Sequence, residues 1–220
     1  RRVLFRSEGG AVELTAGNYS RAEGRFYASG KLNDVVAMSV AAAKITRDGY
    51  VDNRAGGDDF NDEDTEALRV KLAFQPTESF NATFIVDHTQ QDANLAMGRP
   101  MADLQQRELN TGALVQVLVP AATGEWDHSA ETSFAPGQGQ SLKHNGVTLA
   151  MNWDINANWQ FKSISALRKL KTNSYIDIDG SEYELGDVLV ALDQEQKSQE
   201  FQLHYDNGSN LHTTFGAYWM

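Results

Sequence analysis

The alternation of apolar and polar residues is the feature that most constrains how this chain can fold. Leu68, Val70 and Leu72, for example, are separated by Arg69 and Lys71. The same period of two recurs in segments 21–29, 80–87, 147–154, 201–205 and 211–219. Strict alternation is typical of β-strands that have one apolar and one polar face. The sequence therefore predicts an all-β fold.

Nine strands are predicted from this pattern, and together they account for most of the chain. They cover residues 9–17, 21–29, 35–47, 66–74, 80–90, 146–154, 159–175, 196–205 and 211–220. The alanine-rich run 35–46 is also compatible with a helix. We predict a strand there, because strands flank it on both sides and Asn33-Asp34 favours a tight turn.

The connections between these strands alternate in length. Four are tight turns, at about 30–34, 75–79, 155–158 and 206–210. Three are long, at 48–65, 91–145 and 176–195, and only 18–20 is short where the alternation calls for a long loop. Compact soluble domains prefer short connections throughout, whereas outer-membrane barrels combine short periplasmic turns with longer extracellular loops. The pattern predicts an antiparallel transmembrane β-barrel with the two kinds of connection at opposite rims.

Two further expectations follow from a barrel in a membrane. Aromatic pairs flank two of the turns, Phe74 with Phe80 and Trp153 with Trp159, as in an aromatic girdle at the membrane interface. The alternation also sorts side chains between lipid and lumen. We expect lipid contact for Leu68, Val70, Leu72, Val147, Leu149, Phe215 and Trp219, and lumenal positions for Arg69, Lys71, Asn152, His204 and His212.

Composition excludes several classes of protein. Nineteen basic residues against 30 acidic ones give a net charge of −11, which makes nucleic acid a poor partner. The chain has no cysteine, so disulfides, thiolate metal sites and cysteine nucleophiles are absent. The polar mean hydropathy of −0.46 remains compatible with a barrel, because lumenal residues are polar.

Several segments resemble one known family in their order and spacing. They are Gly10-Ala-Val-Glu-Leu-Thr-Ala-Gly-Asn-Tyr19, Gly30-Lys-Leu-Asn-Asp34, Arg47-Asp-Gly-Tyr-Val-Asp-Asn53, Asn61-Asp-Glu-Asp64 with 68–76, Ser198-Gln-Glu-Phe-Gln-Leu203 and Phe215-Gly-Ala-Tyr-Trp219. Together they resemble the barrel domain of TonB-dependent outer-membrane receptors. The resemblance implies a 22-stranded barrel, of which residues 9–220 would supply about nine strands, without the plug domain. We therefore expect a piece of a longer protein, with residues 1–8 uncertain and Arg1 to Ser7 a sequence artefact.

The resemblance also implies a function. Such receptors take up a scarce, bulky ligand, such as a ferric siderophore, cobalamin or an oligosaccharide, with energy from the TonB complex. The implied partners are that complex, outer-membrane lipid and lipopolysaccharide, and the implied location is the outer membrane of a Gram-negative bacterium. No cofactor and no enzymatic activity are expected. The alternatives are a passive porin-like channel and a soluble glycan-binding β-sandwich.

Candidate ligand-binding residues lie in the long loops, since loops on a rigid scaffold usually carry binding function. They are Tyr50, Asp52, Trp126 and His128. The longest loop is not of low complexity, so we expect it to be partly ordered, with a helical turn around 101–108.

No catalytic or metal site is predicted. The acidic run between Asp58 and Asp64 could attract calcium, but it lacks the ligand spacing of known calcium loops, and a solvated acidic loop is favoured. No two of the five histidines have the spacing of a helical zinc site. Ser141 and His144 are close in sequence without an oxyanion-hole motif, so their proximity is attributed to chance.

Overall fold

The computed structural model describes residues 8–220, so the expected artefact at Arg1 to Ser7 lies outside the described residues. The described part contains thirteen β-strands. They are β1 Gly9–Ala16, β2 Ala22–Lys31, β3 Val36–Arg47, β4 Asp52–Asn53, β5 Glu63–Phe74, β6 Phe80–Ala93, β7 Leu104–Arg107, β8 Leu114–Val119, β9 Ser129–Ala130, β10 Gln140–Asp154, β11 Trp159–Asp177, β12 Asp187–Asp206 and β13 His212–Trp219. Between residues 8 and 220 there is no helix that is long and apolar enough to cross a membrane.

The nine long strands form one antiparallel sheet in the order β1-β2-β3-β5-β6-β10-β11-β12-β13. Each long strand pairs with the next long strand in the chain, so the sheet is a simple meander. This confirms the all-β prediction, including the strand assigned to the alanine-rich run. β1 and β13 each have a single neighbour in the sheet and form its two edges.

The register of the strands separates an apolar face from a polar face. Residues directly opposite each other on adjacent strands share a face. Leu72 pairs with Phe84, which pairs with Leu149, whereas Arg69 pairs with Asp87. Followed across the sheet, this register confirms that the two predicted sets of side chains lie on opposite faces.

Aromatic residues form a row along the apolar face at the rim of the tight turns. Phe80 lies directly opposite Trp153, so the two predicted aromatic pairs are at the same level. Trp159 lies opposite Tyr205 with 4.7 Å between the ring centroids. The amphipathic rings thus occupy one line, as expected of an interfacial girdle.

The two kinds of connection lie at opposite rims, as predicted. Tight turns at 32–35, 75–79, 155–158 and 207–211 occupy one end of the sheet, and loops 48–62, 94–139 and 178–186 occupy the other. The connection 17–21 also lies at the long-loop rim, because the Asp48 N–H donates to the Tyr19 carbonyl at 2.8 Å.

Several details differ from the sequence-based expectation. β5 begins at Glu63, β10 at Gln140 and β12 at Asp187, earlier than predicted, and β6 ends later, at Ala93, because the strand pairing continues toward the long-loop rim beyond the part of the sheet with clear alternation. The helical turn predicted around 101–108 is wrong, since Leu104–Arg107 pairs antiparallel with Leu114–Val119. The Leu-Gln-Gln-Arg segment has good helix formers, but pairing with the valine-rich partner overrides this local preference.

Candidate functional site

The long loops pack together over a small core of their own at the rim of the sheet. Its buried members come from two connections, 48–62 and 94–139, and are Val51, Phe60, Leu95, Met97 and Ala130. Tyr50, Trp126, Phe134 and Tyr175 pack around this core. We call this assembly the loop cluster. Because apolar residues from separate loops pack against one another in this core, the loops are held together as one surface.

Backbone and side-chain hydrogen bonds tie the loop cluster together. Asn61 has a positive φ of 63° and exchanges two hydrogen bonds with the Met97 backbone, each 2.8 Å long. Asparagine tolerates this left-handed conformation better than most residues. The backbone of Asp59 passes so close to Gly49 that only glycine fits at this position, because a Cβ there would lie 2.6 Å from that backbone.

The four predicted ligand-binding residues converge in the loop cluster. The Asp52 N–H donates to the His128 carbonyl at 2.8 Å, at the start of the short parallel pairing of β4 with β9. The His128 ring stacks on Trp126 with centroids 4.6 Å apart. Tyr50 lies 5.9 Å from the Tyr19 ring. Whether these residues touch a ligand stays a prediction.

A cavity of about 540 Å³ opens beside the loop cluster. Its walls include Arg54, Arg99, Trp126, Asp127 and Tyr183, whereas Tyr50, Asp52 and His128 do not line it. Arg54 donates to Asp127 at 3.0 Å and to the Ser129 hydroxyl at 2.7 Å, so its guanidinium is held against the wall. Charged, hydroxyl and aromatic groups together suit a polar ligand with ring systems.

The environment shifts the pKa of two loop carboxyls in opposite directions. The hydroxyl of Ser129 and then the guanidinium of Arg54 lower the pKa of Asp127 below its ordinary value. Burial raises the pKa of Asp62, although the Asn94 N–H donates to it at 2.6 Å. Asp62 therefore belongs to the structural framework of the acidic run, which is not simply a solvated loop.

The polar face of the sheet carries a charged cluster, which spans three strands. Arg168 on β11 donates to both carboxylate oxygens of Asp87 on β6, at 3.1 and 3.0 Å. Gly146 lies between them on β10, where a Cβ would be 2.4 Å from Asp87 and 2.5 Å from Arg168. His144 Nδ1 lies 3.4 Å from the same carboxylate. The missing side chain of Gly146 is thus what lets the ion pair cross an intervening strand.

Sequence reasoning missed Arg54, Asp127, Asp87 and Arg168. The partners are 73 and 81 residues apart, so no local motif connects them. Only the register of the strands could have suggested the second pair, because it aligns Asp87, Gly146 and Arg168 in one row. Ser141 and His144 lie an odd number of residues apart on β10 and so face opposite sides of the sheet.

Similar folds are found among solved outer-membrane receptors. The ferric yersiniabactin uptake receptor FyuA from Yersinia pestis matches 95% of this chain and 30% of its own, with a TM-score of 0.60 and 18% identity. The siderophore receptor PiuA from Acinetobacter baumannii matches 94% and 29%, with 0.63 and 14%. The ferripyoverdine receptor of Pseudomonas aeruginosa matches 93% and 25%, with 0.56 and 16%.

These matches define the class of fold: the chain has the fold of a part of the β-barrel seen in these receptors. The chain spans between a quarter and a third of the length of those receptors. No protein-family model matches this sequence, and no curated protein matches it.

Proposed function

We propose that this chain forms part of the wall of a receptor in the outer membrane of a Gram-negative bacterium. Residues 9–220 would be about nine adjacent strands of a barrel that takes up a scarce, bulky ligand with energy from the TonB complex. The observation that carries this proposal is the division of the sheet into two faces. Toward the tight-turn rim one face is apolar and the other carries charged groups. Toward the long-loop rim the apolar face gives way to charged residues such as Lys169 and Glu195, which form an ion pair at 2.7 Å. Tight turns lie at one rim and packed loops at the other.

The exposed apolar face supports a membrane location. Large side chains from six strands of the sheet stand on it at 39 to 81% exposure; they include Leu14, Leu68, Phe84, Trp153, Phe201 and Trp219. Soluble monomers rarely expose a contiguous apolar surface of this extent. A β-sandwich would cover it with a second large sheet, but the other sheets within residues 8–220 have two strands each. Lipid is the surrounding that such a face suits.

The loop cluster supports a role in ligand recognition. It places aromatic, charged and hydroxyl groups around a cavity at one rim, on the side where the long loops lie. One structurally similar receptor is described as an uptake receptor for ferric yersiniabactin, and another as a receptor bound to ferripyoverdine. A ferric siderophore is therefore the ligand that we propose first, with cobalamin or an oligosaccharide as alternatives. Tyr50, Asp52, Trp126 and His128 are proposed to contact it, together with Arg54.

Energised uptake tests this function against the porin-like alternative. A strain that lacks the gene should lose accumulation of one radiolabelled ferric siderophore from a panel, and the full-length gene should restore it. Dissipating the proton gradient with a protonophore should abolish the restored uptake, since a receptor depends on the TonB complex. Uptake that persists with the protonophore would instead favour a passive channel. A complete panel, extended to cobalamin and oligosaccharides, that shows no difference between the strains would overturn the proposal.

A further inference from the structure

Three aspartates meet where the β11–β12 hairpin enters the loop cluster. Asp177 ends β11 and lies directly opposite Asp187, which begins β12. Asp179 follows two residues after Asp177, and one carboxylate oxygen of each aspartate lies within 4.8 Å of the others. The segment Asp177-Ile-Asp-Gly-Ser181 also places oxygen-bearing side chains at every second position.

Two of these carboxylates have an oxygen without any partner. Asp179 is only 6% exposed, and its Oδ2 atom is buried and makes no hydrogen bond. Asp187 Oδ1 is likewise buried and unpartnered. The second oxygen of each carboxylate accepts a hydroxyl, from Ser181 and Ser133 respectively. Within residues 8–220 no lysine, arginine or histidine forms an ion pair with any of the three aspartates.

This arrangement is unfavourable as it stands. A buried carboxylate oxygen without a partner loses its hydration and gains nothing in return. Three like charges at this spacing also repel one another, and the repulsion is strongest where water is excluded. Buried charges in proteins are generally paired or coordinate a metal. A cation shared by several of these oxygens would compensate their buried charge.

We propose that Asp177, Asp179 and Asp187 bind a calcium ion that fastens the loop cluster to the β11–β12 hairpin. Calcium takes six to eight oxygen ligands at about 2.3–2.6 Å, so two ligand oxygens on one ion can be up to about 5 Å apart. The observed limit of 4.8 Å satisfies this condition. The set contains carboxylates only, without the imidazole or thiolate groups that zinc prefers. Magnesium demands near-ideal octahedral geometry, which an irregular loop supplies less readily.

The ion would act on the wall of the cavity. Thr132 donates to Asp177 at 2.7 Å, and Ser133 donates to Asp187, so segment 131–135 is already joined to the hairpin. Phe134 packs edge-on against Tyr175 at 5.4 Å beside this junction. Gly180, Ser181 and Tyr183, which lie between Asp179 and Asp187 in the chain, line the cavity. Calcium would neutralise the aspartates and fix this wall. The inference does not depend on the identity of the transported ligand.

The test is calcium titration of the full-length gene product, refolded in detergent without lipopolysaccharide and treated with chelator. Calcium chloride alone is the probe, followed by calorimetry. The wild-type protein should bind one more calcium ion than the Asp179→Asn variant, with a dissociation constant of about 0.1–1 mM, the range of extracellular calcium modules. The control variant Asp34→Asn removes a carboxylate from a tight turn at the opposite rim and should bind as the wild type does.

Stability measurements separate a binding site from a merely structural role. In chelator, Asp179→Asn should be at least as heat-stable as the wild type, because one repelling charge is gone. With calcium, the wild type should gain stability and protease resistance in segment 131–139, and the variant should not. Asp187→Asn provides the same comparison if Asp179→Asn does not fold. Equal calcium isotherms for the wild type and the folded variant, or equal stabilisation by calcium, would overturn the proposal.

Discussion

A single arginine placed on either face of β10 tests which face contacts lipid. Leu149 lies on the apolar face, between Phe84 on β6 and Ser165 on β11. It is five residues from Asp154, where β10 ends at the tight-turn rim. With about 3.4 Å per residue and a strand tilt of about 40°, Leu149 is about 13 Å above that rim. The apolar band of such barrels is about 25 Å tall, so this position is near the bilayer midplane.

Leu149→Arg should therefore destabilise the barrel by about 2–4 kcal/mol, the cost of an arginine that faces lipid at the midplane. This corresponds to a change of about 30- to 700-fold in the folding equilibrium. The matched control is Ala150→Arg, one residue further along the same strand. Ala150 faces the polar side, between Thr83 and Ile164, and the substitution should cost no more than about 0.5 kcal/mol.

The measurement is guanidinium unfolding of the full-length gene product in phospholipid vesicles, followed by tryptophan fluorescence. Leu149→Ala separates lost packing from the cost of placing a charge in lipid. The difference between the two arginine variants should persist after this correction. If Ala150→Arg is as destabilising as Leu149→Arg, the apolar face does not contact lipid and the reasoning is refuted.

Three further predictions concern the ion pair between Asp87 and Arg168 and the loop residues Trp126 and Asp127. Gly146→Ala should lower the free energy of unfolding by about as much as Asp87→Ala, roughly 1.5–3 kcal/mol in guanidinium unfolding, because each substitution breaks the charged hydrogen bonds to Arg168. A Gly146→Ala variant that is as stable as the wild type would contradict the close approach described above. Trp126→Ala should speed protease cleavage in segment 48–62 and weaken the proposed siderophore uptake, whereas unchanged cleavage would show that Trp126 does not support the loop cluster. Because its pKa is lowered, Asp127 should contribute loop stability that is fully present above its ordinary pKa of 3.8 and is lost as the pH falls through the lower folded value. Asp127→Asn should remove this part of the acid sensitivity of Trp126 fluorescence, and an identical acid profile would contradict it.

The sheet was predictable because the alternation within each strand shows which of its side chains share a face. A period of two, with turn residues between the runs, is a local signal and needs no knowledge of distant residues. The segment 63–93 illustrates this, since its alternation alone separates Leu72 from Lys71. The extension of β12 back to Asp187 was not predictable in the same way. The segment Val188-Leu-Val-Ala-Leu192 does not alternate, because the protruding hairpin is exposed on both faces.

The loop cluster was less predictable, because its contacts join residues that are far apart in sequence. Trp126 and His128 could be nominated as loop residues with useful chemistry, but nothing in the sequence indicates that the His128 carbonyl accepts a hydrogen bond from the Asp52 N–H. The three aspartates of the proposed calcium site were passed over for a similar reason. Asp187 is brought to Asp177 by the register of β11 and β12, and the sequence shows only the Asp-x-Asp of the loop.

The most direct test of the account is the accessibility of the two rims in living cells. This chain has no cysteine, so single cysteines can be introduced into its loops. Asp58→Cys and Glu184→Cys at the long-loop rim should react on intact cells with a maleimide that cannot cross the outer membrane. Thr77→Cys and Ser209→Cys in the tight turns should react only after that membrane is permeabilised. Equal labelling of both pairs on intact cells, or labelling of the tight turns alone, would contradict the assignment of this chain to an outer-membrane barrel with its long loops outside.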